Sequence, residues 1–343
     1  MTIDKWVEAG SDAGRGNLLG IQPWMHIRDY RSAGSFYTAL DGYFAAAAGR
    51  GWLQPRTVAV LPEYLGTWLV AVNESPALFR AARMGPAMGR LALRHAGAFL
   101  AGLLGAPAPD RVKHALFRAR AGAMAYAYTE VFATLARRWR VTIVAGSILL
   151  PAPYVRAGRV LPGRGALENV AAVFHPNGLA NDCLARKHFL TAAEQPFIAP
   201  AARPAPAIYD TPAGRLAVLV CADAFYPASY AALAGQGVEL LAVPSYLETS
   251  HIWQQPWPGY NGGPAPADVR AADIGAISER QAWLRYGMAG RIALAGIPYG
   301  VNVFLRGEIL DLGSDGATLL ARQGAVHETP ATARTALASV WIA

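Results

Sequence analysis

The first part of the chain alternates short apolar runs with longer stretches whose apolar residues recur at helical spacing. Short continuous apolar runs are typical of buried strands, whereas recurrence at every third or fourth position indicates a helix. This pattern predicts strands at 17–22, 57–61 and 141–150 and helices at 32–49 and 129–139. Two successive strand–helix–strand passages indicate a layered α/β domain.

The second part of the chain adds hairpins to this pattern. Asn177 and Gly178 separate two strand-like runs, and Asn-Gly at such a position is a strong hairpin signal. The predicted elements are a hairpin of 169–175 and 179–187, strands at 215–221, 238–243 and 291–297, helices at 227–235 and 266–290, and a second hairpin of 308–312 and 318–321. No internal repeat is evident, and the economical architecture is two mixed sheets with helices outside.

Composition and charge narrow the class of protein. Of the 343 residues, 53% are hydrophobic and 16% charged, which excludes a disordered chain. The net charge of +8 comes mostly from scattered arginines rather than runs, so we expect no nucleic-acid partner. The longest apolar run, 96–109, is shorter than the roughly 20 residues of a spanning helix, and no targeting signal is evident at the start. With only two cysteines, Cys183 and Cys221, we expect a cytoplasmic protein in a reducing compartment.

Three predicted strands end in polar residues that a buried strand does not require: Glu63, Lys187 and Cys221. Each alone is ordinary, as a solvated charge or a small buried thiol. Together they form a set for acyl transfer, with a thiol nucleophile, a carboxylate that moves its proton and an ammonium that stabilises an oxyanion. A Cys–His pair using His175 or His188 would leave Glu63 and Lys187 unexplained, and no histidine spacing suggests a metal site.

Four blocks in order resemble the carbon–nitrogen hydrolase, or nitrilase, superfamily over nearly the whole chain. They are AVLPEYLG at 59–66, ENVAAVFHPNG at 168–178, ARKHFL at 185–190 and YDTPAGRLAVLVCADAFYP at 209–227. The resemblance implies a single domain, 1–343, folded as a four-layer αββα sandwich, and a catalytic triad of Glu63, Lys187 and Cys221. It also implies that Glu194 positions substrate or water and that the Ala222 N–H joins Lys187 in an oxyanion hole. We expect no cofactor and no metal.

The motifs depart from the family pattern at two places and leave the reaction open. The chain reads Lys187-His188-Phe189, whereas the family often has histidine two residues after the lysine. It also reads Cys221-Ala222-Asp223, which is closer to amidases than to true nitrilases. The favoured function is thiol-dependent hydrolysis of a small-molecule amide, carbamoyl or related C–N bond. The alternatives are an N-acyltransferase, a nitrilase acting on a nitrile, and a catalytically silent binding protein.

Residues 73–120 exceed the family's usual link and predict an amphipathic basic helix. Its apolar positions are Met88, Leu91, Ala92, Phe99, Leu100 and Leu103, with Arg83, Arg90 and Arg94 opposite. The favoured interpretation is packing onto the domain or a partner subunit; the alternatives are a lid over Cys221 or contact with acyl chains or an anionic membrane surface.

Two further expectations concern the pocket and the assembly. The aromatic residues Tyr64, Tyr246, Trp68 and Trp253 follow or neighbour the strand ends and predict an aromatic substrate pocket, while Cys183 is interpreted as core filling. Apolar residues around Ile277, Trp283 and Leu284 predict an exposed helical face. We therefore expect at least a homodimer.

Overall fold

Two mixed sheets form the centre of the protein, as seen in a computed structural model that describes residues 2–202 and 205–343. The strands are β1 Lys5–Ala9, β2 Asn17–Gln22, β3 Trp24–His26, β4 Thr57–Val60, β5 Thr142–Pro151, β6 Tyr154–Arg156, β7 Arg159–Leu161, β8 Leu167–Phe174, β9 Ala185–Arg186, β10 Ala207–Thr211, β11 Gly214–Val218, β12 Leu240–Ser245, β13 Tyr299–Phe304, β14 Arg306–Glu308, β15 Leu319–Arg322, β16 Ala325–Glu328 and β17 Ala336–Trp341. The first sheet has the order β1-β17-β2-β4-β5-β8-β9 and the second β10-β11-β12-β13-β15-β16. Both contain parallel and antiparallel pairs.

Helices cover the outer face of each sheet. They are α1 Ala33–Gly49, α2 Pro76–Phe79, α3 Met84–Arg94, α4 Ala96–Leu104, α5 Arg111–Trp139, α6 Pro227–Ala231, α7 Glu279–Tyr286 and α8 Met288–Arg291. Helices α1 and α5 lie on the first sheet, and α6, α7 and α8 on the second. None of the helices in the described part of the chain has the length and apolar character needed to cross a membrane.

The alternation of side chains along β4 shows how the layers arise. Val58 and Val60 belong to the core between the two sheets, whereas Ala59 and Leu61 face the core under α1 and α5. All four are fully buried, because a strand in the middle of such a sandwich has no solvent face. Gly20 on β2 allows the sheets to approach, since a Cβ there would lie 2.7 Å from Val301. The predicted αββα sandwich is confirmed.

The element predictions succeed where the sequence signal is local. Strand 17–22 and helix 32–49 are found almost as expected, and the predicted helix 129–139 is the last part of α5. The Asn-Gly turn is present, but its second strand shortens to the two residues of β9. The predicted helix 266–290 is wrong, because the described range contains only the short helices α7 and α8 and a 3-10 helix at Ala271–Asp273. The predicted strand 291–297 is largely a 3-10 helix, and residues 308–312 form no hairpin strand opposite β15.

Residues 73–120 form several helices instead of one. The predicted amphipathic helix breaks at His95 into α3 and α4. A buried carboxylate, Glu74, anchors the break by accepting from His95 Nε2 at 2.6 Å and by pairing with Arg94 and Arg120, both at 3.2 Å. Leu91 is buried as expected, but Leu100 is 57% exposed.

Two other expectations are corrected by burial. Trp283 is not part of an exposed face, because it is 2% exposed and its ring lies 4.8 Å from that of Phe304 in the core. Cys183 is exposed rather than core-filling. Of the two thiols, Cys221 is therefore the buried one.

Candidate active site

The predicted site residues lie at the carboxyl ends of strands from both sheets. Glu63 follows β4 and Lys187 follows β9 in the first sheet, whereas Cys221 comes shortly after β11 in the second. Glu194 lies in a turn region a few residues beyond Lys187. The structure brings all four side chains to one cavity, to which residues from both sheets contribute.

A bulge in β5 holds the segment that carries Glu63. The pairing of β5 shifts register between Val144 and Ser147, and Gly146 adopts a φ of +70° there. A Cβ at Gly146 would lie 2.2 Å from the Pro62 carbonyl oxygen, so only glycine fits. The Ser147 hydroxyl then accepts from the Tyr64 N–H at 2.8 Å. The Glu63 carboxylate is thereby fixed at the strand end.

The Lys187 ammonium lies between two carboxylates. Its Nζ donates to Glu63 Oε1 and to Glu194 Oε1, each at 2.8 Å, and all three side chains are almost fully buried. Burial acts to lower the pKa of Lys187, but the charges of Glu194 and Glu63 outweigh it and raise that pKa well above its usual range. The ammonium therefore stays charged in a site without bulk water.

The two glutamates have different environments. Glu194 accepts from the Thr191 N–H at 2.8 Å, the Thr191 hydroxyl at 3.1 Å and the Tyr64 hydroxyl. Burial acts to raise the pKa of Glu194, but Lys187 and these donors bring it below its usual value. For Glu63, burial raises the pKa, because the Lys187 ammonium only partly offsets the loss of water. Glu63 is thus the carboxylate that takes up a proton more readily.

Asn169 is a site residue that the sequence analysis did not identify. Its Nδ2 donates to Glu63 Oε1 at 2.9 Å and lies 3.4 Å from Glu194 Oε1, and its backbone oxygen accepts from the Lys187 N–H at 2.9 Å. Its Oδ1 is buried and has no partner among residues 2–202 and 205–343. The only sequence signal was an amide in a run of buried apolar residues on β8.

Cys221 occupies a sharp turn between β11 and a 3-10 helix that spans Cys221–Phe225. Its φ of +50° is a left-handed conformation that few residues other than glycine adopt, and such strain is common at functional sites. The Sγ atom lies 3.9 Å from the Tyr246 carbonyl oxygen. Burial raises the pKa of this thiol well above its usual range, and the Glu63 carboxylate adds to the rise. The Cys221 side chain is therefore a neutral thiol, which would need a base in order to act as a nucleophile.

The residues after Cys221 tie the two sheets together. The Asp223 carboxylate accepts from the backbone N–H groups of His188 at 3.1 Å and Phe189 at 2.7 Å, directly after Lys187. Burial raises the pKa of Asp223 to about 7 despite these donors. Across the described ranges, the N–H of Ala222 has no acceptor within the protein, so it remains available to an oxyanion.

The cavity above Cys221 has a volume of about 460 Å³ and a largely apolar wall. Tyr64, Trp68 and Tyr246 line it, with Tyr64 and Tyr246 in edge-to-face contact at 5.9 Å. Both hydroxyls are engaged, that of Tyr64 with Glu194 and that of Tyr246 with the Gly313 carbonyl oxygen. Trp253 packs in the core instead. No cluster of metal-ligating side chains is found in the described ranges.

The chain is similar to known proteins in sequence and in fold. The sequence model of the family described as carbon-nitrogen hydrolase matches residues 53–261, which include Glu63, Lys187, Glu194 and Cys221. No curated protein matches the chain. Among solved structures, the chain resembles the amidase from Nesterenkonia sp. AN1, with 14% identity, 96% of this chain and 93% of that chain covered, and a TM-score of 0.57.

Variants of that amidase give similar values. A cysteine-to-serine variant, described as belonging to the nitrilase superfamily, has 14% identity, 96% and 92% coverage and a TM-score of 0.57. A glutamate-to-glutamine variant, described as carrying acrylamide added at the active site cysteine, has 14% identity, 96% and 93% coverage and a TM-score of 0.56. At this level of identity the likeness shows a shared fold.

Proposed function

Because the chain belongs to the carbon–nitrogen hydrolase family, we propose that it hydrolyses the C–N bond of a non-peptide amide through a thioester on Cys221. One observation carries the proposal: a buried ammonium lies 2.8 Å from each of two carboxylates in the cavity that contains the thiol. These are the groups that acyl transfer requires.

Acylation begins with proton transfer from the Cys221 thiol to the Glu63 carboxylate, and the thiolate attacks the amide carbon. The Lys187 ammonium and the Ala222 N–H stabilise the resulting oxyanion. The C–N bond then breaks, and the leaving amine takes the proton from Glu63, so that a thioester and a free amine result. Lys187 does not titrate in this step, because its two carboxylate neighbours keep it charged.

Deacylation repeats these roles with water. Glu63 accepts a proton from water as the oxygen attacks the thioester carbon, and the proton returns to sulfur when the C–S bond breaks. The products are a carboxylic acid and the free thiol. Glu194, whose pKa lies below its usual value, remains a carboxylate and holds Lys187 and the Tyr64 hydroxyl.

Two features favour an amide over a nitrile as substrate. The nucleophile lies in the Cys221-Ala222-Asp223 sequence of amidases, and the similar solved structures are described as those of an amidase. Transfer of the acyl group to an amine would use the same thioester. Product analysis with and without an added amine distinguishes that reaction from hydrolysis.

The test uses hydroxylamine and a primary amide. We expect wild-type enzyme to form the hydroxamate, and peptide masses after trypsin digestion to assign any acyl adduct to Cys221. Cys221→Ala, Glu63→Gln and Lys187→Ala should each lose at least about 10³-fold in kcat/KM, since these groups act as a unit. Cys183→Ala, which removes the exposed thiol, is the matched control and should keep full activity. Activity within tenfold of wild type in folded Glu63→Gln would contradict the proposed roles.

A further inference from the structure

The cavity is far larger than the scissile amide needs. Its volume of about 460 Å³ lies in the range of pockets that enclose drug-sized molecules. Most of its wall is apolar, and much of that wall comes from residues 73–120. The residues from this segment are Leu78, Met84, Ala87, Met88, Leu91, Lys113, Leu116 and Phe117.

The charged groups of the wall divide into two sets. Three of them, Glu63, Lys187 and Glu194, are bound to one another beside Cys221. In the part of the chain that the structure describes, the others are Lys113 and Glu248, both near solvent. Lys113 is already paired with Asp110 at 3.3 Å and lies over the ring of Phe197. The described wall therefore offers no unpaired buried charge to a charged group of the substrate.

Two buried hydroxyls of the wall also have partners, whereas the buried indole N–H of Trp68 has none among the described residues. The Thr67 hydroxyl accepts from the Leu149 N–H at 3.2 Å, and the Tyr246 hydroxyl donates to the Gly313 carbonyl oxygen at 2.9 Å. A charged substrate group in this space would lose its water and meet no free opposite charge, with the neutral Trp68 N–H as the one unpartnered side-chain donor of the described wall, which is unfavourable. The wall therefore favours an apolar ligand.

The chemistry at Cys221 determines which part of the substrate meets this wall. The tetrahedral carbon has four substituents. One is the Cys221 sulfur, a second is the oxyanion near Lys187 and the Ala222 N–H, and a third is the nitrogen, which must face Glu63 to receive its proton. The fourth, the acyl substituent, is left for the rest of the wall, which is apolar.

Resting on the proposed function, we infer that the substrate is an amide with an extended apolar acyl chain, which the 73–120 segment receives. Helix α3 supplies Met84, Met88 and Leu91 over this space, and the flexible methionines can adapt to an alkyl or aryl chain. Leu93 on the same helix is 79% exposed and points away from the cavity.

The test measures kcat/KM for unbranched primary amides from acetamide to hexanamide. Each added methylene should raise kcat/KM by about fourfold, the factor that corresponds to burial of one CH₂. Hexanamide should thus exceed acetamide by on the order of 100-fold. The monoamide of adipic acid, of similar length with a terminal carboxylate, should lose this advantage. N-alkyl acetamides, which extend the amine side, should show no such rise.

A matched pair of variants tests the role of α3. Met88→Trp fills the cavity and should reduce the ratio of hexanamide to acetamide activity to below about tenfold. Leu93→Trp adds the same ring on the exposed side and should leave the ratio unchanged. An equal loss in both variants would overturn the assignment of α3 to the acyl chain.

The remaining outcomes separate this inference from the proposed function. Turnover of acetamide without a rise along the series, or preference for the charged monoamide, would overturn the inference and leave the amidase proposal intact. A rise only with N-alkyl acetamides would overturn the acyl orientation. If no amide is turned over, the proposed function fails, and calorimetry on Cys221→Ala decides the inference: tighter binding of hexanamide than acetamide supports it, and equal binding overturns it.

Discussion

At the residue scale, the environments of the two carboxylates assign their roles. Glu194 is held by Lys187, Tyr64 and Thr191, and its pKa lies below the usual value, whereas burial raises the pKa of Glu63. Two carboxylates whose pKa values are driven apart are typical of a site in which one moves a proton and the other stays charged. In the mechanism that we propose, Glu63 is accordingly the general base and acid. Glu194 holds the ammonium and the Tyr64 hydroxyl.

We expect Asn169 to influence the pKa of Glu63, and the variant Asn169→Ala tests this. The variant removes the Nδ2 donor at 2.9 Å from Glu63 Oε1. The carboxylate form of Glu63 then loses a hydrogen bond, so its pKa rises further and the acid limb of the pH profile of kcat/KM moves to higher pH. A hydrogen bond to a charged group contributes about 1.5 kcal/mol. Its loss therefore predicts roughly a tenfold fall in kcat/KM near pH 7.

The control for this variant is Asn17→Ala. Asn17 is also a buried strand amide, and its Nδ2 donates to the Trp52 carbonyl oxygen and the Ser339 hydroxyl at the opposite end of the first sheet. We expect it to lower stability without moving the pH profile. The same profile in Asn169→Ala as in wild type would show that the amide only supports the fold.

The sequence could predict Glu63, Lys187, Glu194 and Cys221, because polar residues at the ends of apolar strands stand out and their order resembles a family. It could not predict Asn169. A buried amide on β8 looks the same whether it pairs with a neighbouring strand or, as here, with carboxylates 106 and 25 residues away. The bulge that fixes Glu63 was hidden for the same reason, since it depends on the approach of Pro62 to Gly146.

At the element scale, the errors occur where backbone pairing is not local. The prediction makes residues 275–278 helical, but Gly275 N bonds to the Trp257 oxygen at 2.8 Å and Trp257 N bonds to the Ile277 oxygen at 2.7 Å. Such pairing competes with helix formation and cannot be read from a short window. Helix α7 begins only at Glu279, where Ser278 caps it by accepting from the Gln281 N–H.

Glu279 at the start of α7 gives the fold a pH dependence. Burial raises the pKa of Glu279 to about 7, although the Trp283 indole N–H donates to its Oε1 at 3.0 Å. The native state thus binds a proton more tightly than the unfolded state, so this group's stabilisation is present at low pH and is lost as the pH rises toward 7.

Glu279→Gln keeps the acceptor for Trp283 and removes the titration. Relative to this variant, wild type should lose roughly 2–3 kcal/mol of unfolding free energy between pH 5 and pH 8. Urea unfolding at the two pH values measures the difference. A constant offset between wild type and variant would show that Glu279 is not protonated in the native state at pH 5.

At the scale of the whole molecule, the site depends on the packing of one sheet against the other. Glu63, Asn169 and Lys187 come from the first sheet and Cys221 from the second, and Asp223 joins them through the backbone of His188 and Phe189. A one-residue slip in either sheet would turn these side chains away from the cavity. The order of strands in each sheet depends on pairing between segments that are distant in the sequence. The layering, in contrast, follows from the apolar pattern of each strand.

The last prediction concerns pairing of two chains. Trp283 is buried and cannot form part of an exposed face. Ile274 and Leu294, near the helices that cover the second sheet, are 43% and 60% exposed. Contiguous exposed apolar patches mark interfaces between proteins, and we expect these two side chains to belong to such a patch. We expect light scattering at micromolar concentration to give twice the chain mass of 36.4 kDa. Leu294→Glu should shift the protein toward the monomer, because an unpaired charge in an apolar interface is unfavourable.

Two further variants locate that interface. Leu179→Glu changes an equally accessible leucine, 50% exposed, in the Asn-Gly turn and should leave the mass unchanged. Leu104→Glu alters the 89% exposed leucine at the end of α4. Dissociation by Leu104→Glu but not by Leu294→Glu would move the interface to the 73–120 segment, where pairing would also restrain the helices over the cavity. A wild-type mass of one chain at all concentrations would contradict pairing itself.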